Sequence, residues 1–290
     1  KSKMGKQLVN AARKREGEYR KKLSPSKIIF QVENLRCWHS LPDWPWKFNW
    51  HKAVEDITFT LSAGETLGIV GASGCGKSTL CRALMGLLPL RGGSVKLNGK
   101  SLFNLKGEFF RKKRQEVQMV FQDPLACLNP KMLISDIIAD PLLIHNLCNK
   151  SHAKEKAREL LSKVGLDPPE LFQNRYPQDL SGGQQQRVVI ARALALKPKV
   201  LICDECVSML DAEIQVDILN LLSNLQKELG LGILFVTHDL LVANGFCDRL
   251  IVMDKGRIIE EGSSQAIFLS PKHADTKKLV SACPKLPSSS

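Results

Sequence analysis

The segment Leu67-Gly68-Ile69-Val70-Gly71-Ala72-Ser73-Gly74-Cys75-Gly76-Lys77-Ser78-Thr79 decides the architecture of this chain. Residues 67–70 form a short apolar run, residues 71–78 fit G-x-x-x-x-G-K-[ST], and residues 79–88 carry helical spacing. A strand that feeds a glycine-rich loop into a helix start is a cradle for phosphate. The glycines let the chain curl so that backbone N–H groups face phosphate oxygens, and the helix N-terminus adds partial positive charge. Gly71, Ala72, Ser73, Gly74, Cys75, Gly76 and Thr79 are therefore expected around a nucleotide's phosphates. Lys77 is expected to reach the β and γ phosphates, and the Ser78 hydroxyl to ligate Mg²⁺.

Working outward, residues 200–203, 233–236 and 250–253 are short apolar runs like 67–70. Runs apolar on both faces suit central parallel strands sandwiched by helices. Ile28, Phe30 and Val32, then Ile57, Phe59 and Leu61, alternate instead, which predicts half-exposed antiparallel strands. Ile214, Ile218, Leu221, Leu222, Leu225 and Leu229 follow helical spacing. Prolines punctuate residues 130–180, where no strand pattern is present. The expected fold is α/β: a central, mostly parallel sheet, an antiparallel β subdomain at its front, and a helical insertion at about 130–180. That insertion lies between a strand ending near Phe121 and a helix starting near Ser181. Residues 28–270 form the domain, 1–27 a basic tail or linker, and 271–290 a C-terminal tail.

The net charge of +13 is unevenly placed: residues 1–27 hold ten Lys/Arg against two Glu, leaving the remainder only +5. A uniformly basic nucleic-acid surface is not indicated. The tail reads as solvated, with anionic lipid or RNA as its alternative contacts. No apolar stretch approaches the ~20 residues of a membrane helix, so the chain forms no pore by itself. Nine cysteines without a secretory signal suit a reducing cytoplasm. Cys203 and Cys206 have C-x-x-C spacing but no second pair to complete a zinc site, and read as small buried hydrophobes.

Two further motifs carry chemistry. Val200-Leu201-Ile202-Cys203-Asp204-Glu205 puts two carboxylates at the tip of a buried strand. Asp204 is suited to the Mg²⁺ shell, and Glu205 to orienting and deprotonating an attacking water. Leu180-Ser181-Gly182-Gly183-Gln184 opens a helix with a hydroxyl and small residues, which makes a second anion site. Read alone, Ser-Gly-Gly is a turn and an N-cap. Here Gln184-Gln185-Gln186-Arg187 and Ala191-Arg192-Ala193 extend it into a longer pattern.

Together these motifs resemble the ATP-binding-cassette ATPases over roughly residues 28–270. Residues 71–78 correspond to the Walker A element, Gln122 to the Q-loop, 180–184 to the signature, and 200–205 to Walker B. Ser208-Met209-Leu210-Asp211 corresponds to the D-loop, and His238 in Val236-Thr237-His238-Asp239 to the switch histidine. The resemblance implies that two cassettes pack head to tail. Ser181 and Gly183 of one, with Gly182 and Gln184 beside them and Asp211 nearby, would meet ATP held by Lys77 of the other. His238 would touch the γ phosphate, and Gln122 would sense Mg²⁺ and water. Glu205, His238, Gln122 and Lys77 would be the catalytic group, with Ser78, Gln122 and Asp204 at the metal.

Gln118-Met119-Val120-Phe121-Gln122-Asp123-Pro124, Leu128-Asn129-Pro130, Arg175-Tyr176-Pro177 and Ser281-Ala282-Cys283-Pro284 narrow the resemblance to ATPases of oligopeptide, dipeptide and nickel importers. It implies a second ATPase subunit, identical or related, and two transmembrane permeases fed by an extracytoplasmic solute-binding protein. The expected location is peripheral, on the cytoplasmic side of the inner membrane. A soluble cassette acting on ribosomes or nucleic acid is the alternative, favoured only by the basic tail. Cys206 stands where the family usually has proline, and Met209 where it has a small residue; neither change removes a catalytic group. Family members stack an aromatic on adenine from a loop before the second front strand, where Trp50 or Phe48 lies nearest. Packing on the β subdomain is the equal alternative for Trp38, Trp44, Trp46 and Trp50.

Overall fold

The computed structural model describes residues 27–43, 47–103 and 107–283, with side chains at 39–43, 47–51 and 109–110 outside that description. The basic tail up to residue 26, Trp44, Trp46, the rings of Phe48 and Trp50, and residues 284–290 therefore lie outside the described residues.

The fully apolar runs become the buried strands β3 (Thr66–Val70), β7 (Val200–Asp204) and β8 (Gly232–Thr237). With β6 (Val117–Val120), β9 (Arg249–Asp254) and β10 (Arg257–Ser263) they form a six-stranded sheet ordered β10-β9-β3-β8-β7-β6. All its pairings are parallel except β10 on β9. Side chains alternate between its faces, as a period of two requires. Ile69, Met119, Ile202, Leu234, Val236 and Ile251 enter one core, while Val70, Val120, Cys203, Phe235 and Val252 enter the other. Both faces are covered, which is why these strands read as unbroken hydrophobic runs.

The first core is closed by helix α1 (Lys77–Leu84) and a four-stranded antiparallel sheet, β2-β1-β4-β5. It comprises β1 (Ile28–Asp43), β2 (Lys47–Ser62), β4 (Gly92–Leu97) and β5 (Lys100–Ser101). Phe30 pairs with Leu61 and Leu97, and Val32 with Phe59 and Val95, so the alternating residues point one way. The hairpin is longer than its apolar pattern suggests. Trp50 falls within β2, opposite Ser40, so the loop expected before this strand is already strand.

Helix α2 (Gly107–Gln115) leads into β6, and helices cover the second core. After β6 come α3 (Pro124–Cys127), α4 (Ile134–Ile144), α5 (Lys150–Lys163), two 3₁₀ turns, and α6 (Gly182–Leu194). Among the described residues no strand lies between Val120 and Val200, in line with a helical insertion. Helices α7 (Ala212–Leu229), α8 (Leu240–Phe246) and α9 (Ser264–Leu269) complete the alternation.

The expected tail from residue 271 needs correction, because Ala274–Ser281 is helix α10. Glu260 accepts from the backbone N–H groups of Lys272 and His273 at 2.8 and 2.9 Å, anchoring the helix start. Thr276 is fully buried, and Leu279, Val280 and Cys283 pack on the helical core. The segment is short and weakly apolar, so its helix depends on this docking.

Candidate functional site

Adjacent strands β3, β8, β7 and, at the edge, β6 end on one side of the sheet. Their C-terminal ends deliver the 71–78 loop, His238, Asp204-Glu205 and Gln122 respectively, which is where open α/β sheets bind ligands. Four motifs scattered over more than half the sequence thus meet along one edge.

The loop curls as its glycines allow. Gly76 caps α1 at φ 107°, and a Cβ there would run into the Ala53 carbonyl oxygen. Any side chain at 76 would push the loop off β2. The Gly256 N–H, from the β9–β10 turn, donates to the Cys75 carbonyl at 2.8 Å and steadies the loop from the other side. The Lys77 ammonium is buried and donates to the carbonyls of Gly71 and Ala72 at 2.8 and 3.0 Å. It is held inside the curve of the loop where phosphates are expected.

Ser78 Oγ donates to Asp204 Oδ1 at 3.1 Å, joining the start of α1 to the end of β7. Burial pushes the Asp204 carboxyl above its ordinary range, against the pull of that hydrogen bond; the nearby Glu205 adds to the rise. Beyond Asp204 the chain turns sharply. Glu205 takes φ 49°, in the left-handed region, and its N–H donates to the Val236 carbonyl at 2.9 Å. Ser208 Oγ donates to the Glu205 carbonyl at 2.9 Å. This turn brings Glu205 Oε2 to 3.2 Å from His238 Nδ1, with the imidazole half exposed. Asp239 caps α8 by accepting from Leu241 N–H at 2.8 Å, and its own N–H donates to Thr237 Oγ1 at 3.0 Å, which fixes the backbone on both sides of His238.

Gln122 is exposed just past β6 and makes no hydrogen bond to Ser78 or Asp204 among the described residues. Its neighbour Asp123 caps α3, accepting from Leu125 N–H at 2.9 Å. Ser181 caps α6 in a reciprocal box: Gln184 N–H donates to Ser181 Oγ at 3.4 Å, and Ser181 N–H donates to Gln184 Oε1 at 3.0 Å. Ser181 and Gly182 are exposed, whereas Gly183 is buried against α7. A Cβ on Gly183 would sit 2.6 Å from Ile214 Cγ2. The signature therefore presents a helix start, with Ser181 and Gly182 on its open side. Asp211 is the exposed N-cap residue of α7. The Trp50 ring lies outside the described residues; Trp38 has the Lys52 ammonium 5.3 Å over its ring.

Two positioning residues go beyond the roles read from the sequence. Gln185 is buried and donates to the Pro177 and Leu180 carbonyls, both at 3.0 Å, holding the chain that enters the signature. Arg192 donates to the Cys127 carbonyl at 2.5 Å, tying α6 to the helix after Gln122. Both belong to the extended signature pattern, but their backbone partners are set by tertiary packing. Cys203 and Cys206 are buried, as expected of small hydrophobes.

A family profile described as ABC transporter matches residues 54–208. The oligopeptide transport ATP-binding protein OppF of Haemophilus influenzae is 49% identical over 234 residues, covering 80% of this chain and 70% of that protein. OppF of Salmonella typhimurium is 44% identical over 263 residues, covering 89% and 78%. The glutathione import ATP-binding protein GsiA of Pectobacterium atrosepticum is 47% identical over 232 residues, covering 80% of this chain but 37% of its own length. Among solved structures, cbiO1 from Clostridium perfringens, part of the ABC transporter complex cbiONQ, superposes with a TM-score of 0.72 at 28% identity, covering 84% and 92%. The cassette MJ0796, a dimer bound to ADP and Pi in a post-hydrolysis state, does so at 0.71 and 29%, covering 81% and 99%.

Proposed function

The chain belongs to the ABC transporter family, and from that premise we propose that it is the ATP-hydrolysing subunit energising an importer of peptides or peptide-like solutes. It is an ATPase with the α/β cassette fold. The observation that carries the reading is the run of Lys77, Ser78–Asp204 and Glu205–His238 along adjacent strand ends. The oligopeptide and glutathione transport relatives support the peptide arm of the expectation. Beyond the basic composition of residues 1–27, no observation favours the ribosome or nucleic-acid alternative.

In this reading residues 71–79 wrap the phosphates of ATP, with the Lys77 ammonium moving from its loop carbonyls to the β and γ oxygens. Ser78 and Asp204 would hold Mg²⁺: their oxygens are hard donors 3.1 Å apart, and a cation would offset the burial that disfavours the Asp204 carboxylate. Mg²⁺ usually takes one or two protein ligands and fills its shell with phosphate and water. That habit agrees with the lack, among the described residues, of any group of three or more His, Cys, Asp or Glu able to hold a metal. When bound, it neutralises charge on the phosphates. Glu205 orients the attacking water and takes its proton, while His238 holds Glu205 and reaches the γ phosphate. Ser181 and Gly183 of a second cassette would close the other side, with Gln122 linking the site to the helical insertion.

Two permease subunits, fed by a solute-binding protein, would provide the path, since no helix among the described residues is long and apolar enough to cross a membrane. The chain would then sit on the cytoplasmic face of the inner membrane. Affinity purification from membranes is expected to recover two multi-spanning proteins, with ATPase activity stimulated by peptide-loaded binding protein. Recovery with ribosomes or RNA and no membrane protein would overturn this reading.

A further inference from the structure

On the side of the central sheet opposite the phosphate loop lies a cavity of about 600 Å³, lined by Lys27, Lys100, Lys113, Lys197 and Lys199. Lys199, also in its wall, immediately precedes β7, and Gly230 lies two residues before β8. The cavity therefore sits at the N-terminal ends of strands whose C-terminal ends carry Asp204 and lead to His238. It is separate from the nucleotide site.

Its charge is poorly balanced. Glu116 forms ion pairs with Lys113 at 2.6 Å and Lys199 at 2.5 Å. Among the described residues no carboxylate pairs with Lys27, Lys100 or Lys197. Five ammonium groups thus share one carboxylate. Lysines in or just after the last turn of a helix can be explained by the helix dipole, which suits Lys113 in α2 and Lys197 and Lys199 after α6. Lys27 precedes β1 and Lys100 lies in β5, so that explanation fails for them. The fold draws like charges together from distant parts of the chain, and a concave site lined by one sign of charge focuses potential on an incoming anion.

We propose that this cavity binds an anion of clustered phosphates, with Lys27, Lys100 and Lys197 as its principal contacts. Ammonium groups act as point charges for phosphate without the paired geometry that arginine demands. Charges spread around a space this large suit several linked or neighbouring phosphates rather than one small oxyanion. The source is either a soluble polyphosphate or the headgroups of an anionic phospholipid surface.

The test uses the full chain with its phosphate loop saturated by a non-hydrolysable ATP analogue and Mg²⁺. Inorganic tripolyphosphate is titrated by calorimetry, and phosphatidylglycerol vesicles are assayed in parallel by co-sedimentation. Binding in at least one arm is expected to fall about tenfold or more in the Lys100→Glu/Lys197→Glu variant and to weaken with salt. Affinity for the ATP analogue should be unchanged. Dependence on the two lysines in the titration alone assigns a soluble ligand, and in the vesicle arm alone a lipid. Binding that the variant leaves intact in both arms, as the basic tail alone would give, overturns the proposal, as does no binding in either. Both lysines are exposed, and Lys100→Gln/Lys197→Gln provides a milder pair if the charge reversal impairs folding.

Discussion

Glu205 meets His238 because a single residue leaves the strand in a left-handed conformation that L-amino acids adopt at a cost. The Val236 and Ser208 contacts hold it there. Glu205→Gln keeps the shape and removes the proton acceptor, so ATP hydrolysis is expected to fall by about 10²–10⁴-fold. An ATP-bound dimer should accumulate, seen by size-exclusion chromatography; normal phosphate release from this variant would show that the base is another group. Asp204 makes a contrasting case. Burial raises its folded pKa, so its ionised form costs stability at neutral pH, and that cost fades as pH falls through the raised value. Asp204→Asn is therefore expected to raise the melting temperature measured without nucleotide. The same change should lower Mg²⁺-dependent ATPase activity at least about a hundredfold. A lower melting temperature would mean that Asp204 stabilises the fold through the Ser78 bond more than burial costs it.

Helix α6 shows how one element serves both fold and site. Its Ser181–Gln184 box satisfies backbone groups at the helix start, while Gly183 allows close approach to Ile214. Ser181→Ala is expected to cost about 1 kcal/mol of stability through the lost cap. Ser181→Arg adds bulk and charge at the exposed helix start, so it should block ATP-driven dimerisation while leaving nucleotide affinity within about twofold, as the phosphate loop is untouched. Comparing the two variants by nucleotide titration and light scattering separates a structural cap from a docking surface. A dimer that still forms with Ser181→Arg would place the clamp elsewhere. The strong elements were readable because each had its own signal: β3, β7 and β8 as apolar runs, α7 by periodicity, and α1 and α6 by what precedes them. Helix α10 had no such signal, since its stability comes from Glu260 and the core it docks on. The extension of the β1–β2 hairpin was hidden for a related reason: pairing between strands, rather than alternation within one, continues it.

At the scale of the molecule, the antiparallel sheet must stay in register with the central one, because β2 and the β9–β10 turn both brace the phosphate loop. Arg249 is one fastener. It pairs with buried Glu65, bonds Glu261 at 2.8 Å, and donates to the Thr60 carbonyl of β2 at 3.0 Å. Burial already pushes the Glu65 carboxyl up, and Arg249 opposes that rise. Arg249→Met strands the carboxylate and is expected to cost about 3 kcal/mol in urea denaturation at neutral pH. With the folded pKa raised further, the deficit should shrink as pH falls through it and Glu65 is protonated. A deficit that stays constant with pH would assign the loss to packing instead. The sequence by itself determined the nucleotide chemistry and the α/β class, because phosphate binding needs particular residues at fixed local spacing and buried strands need apolar runs. Only the tertiary structure decided that Glu205 faces His238, that Gln185 and Arg192 bond particular carbonyls, and that five lysines gather in one cavity. Those are contacts between distant positions, set by strand order and packing, and no local pattern of residues encodes them.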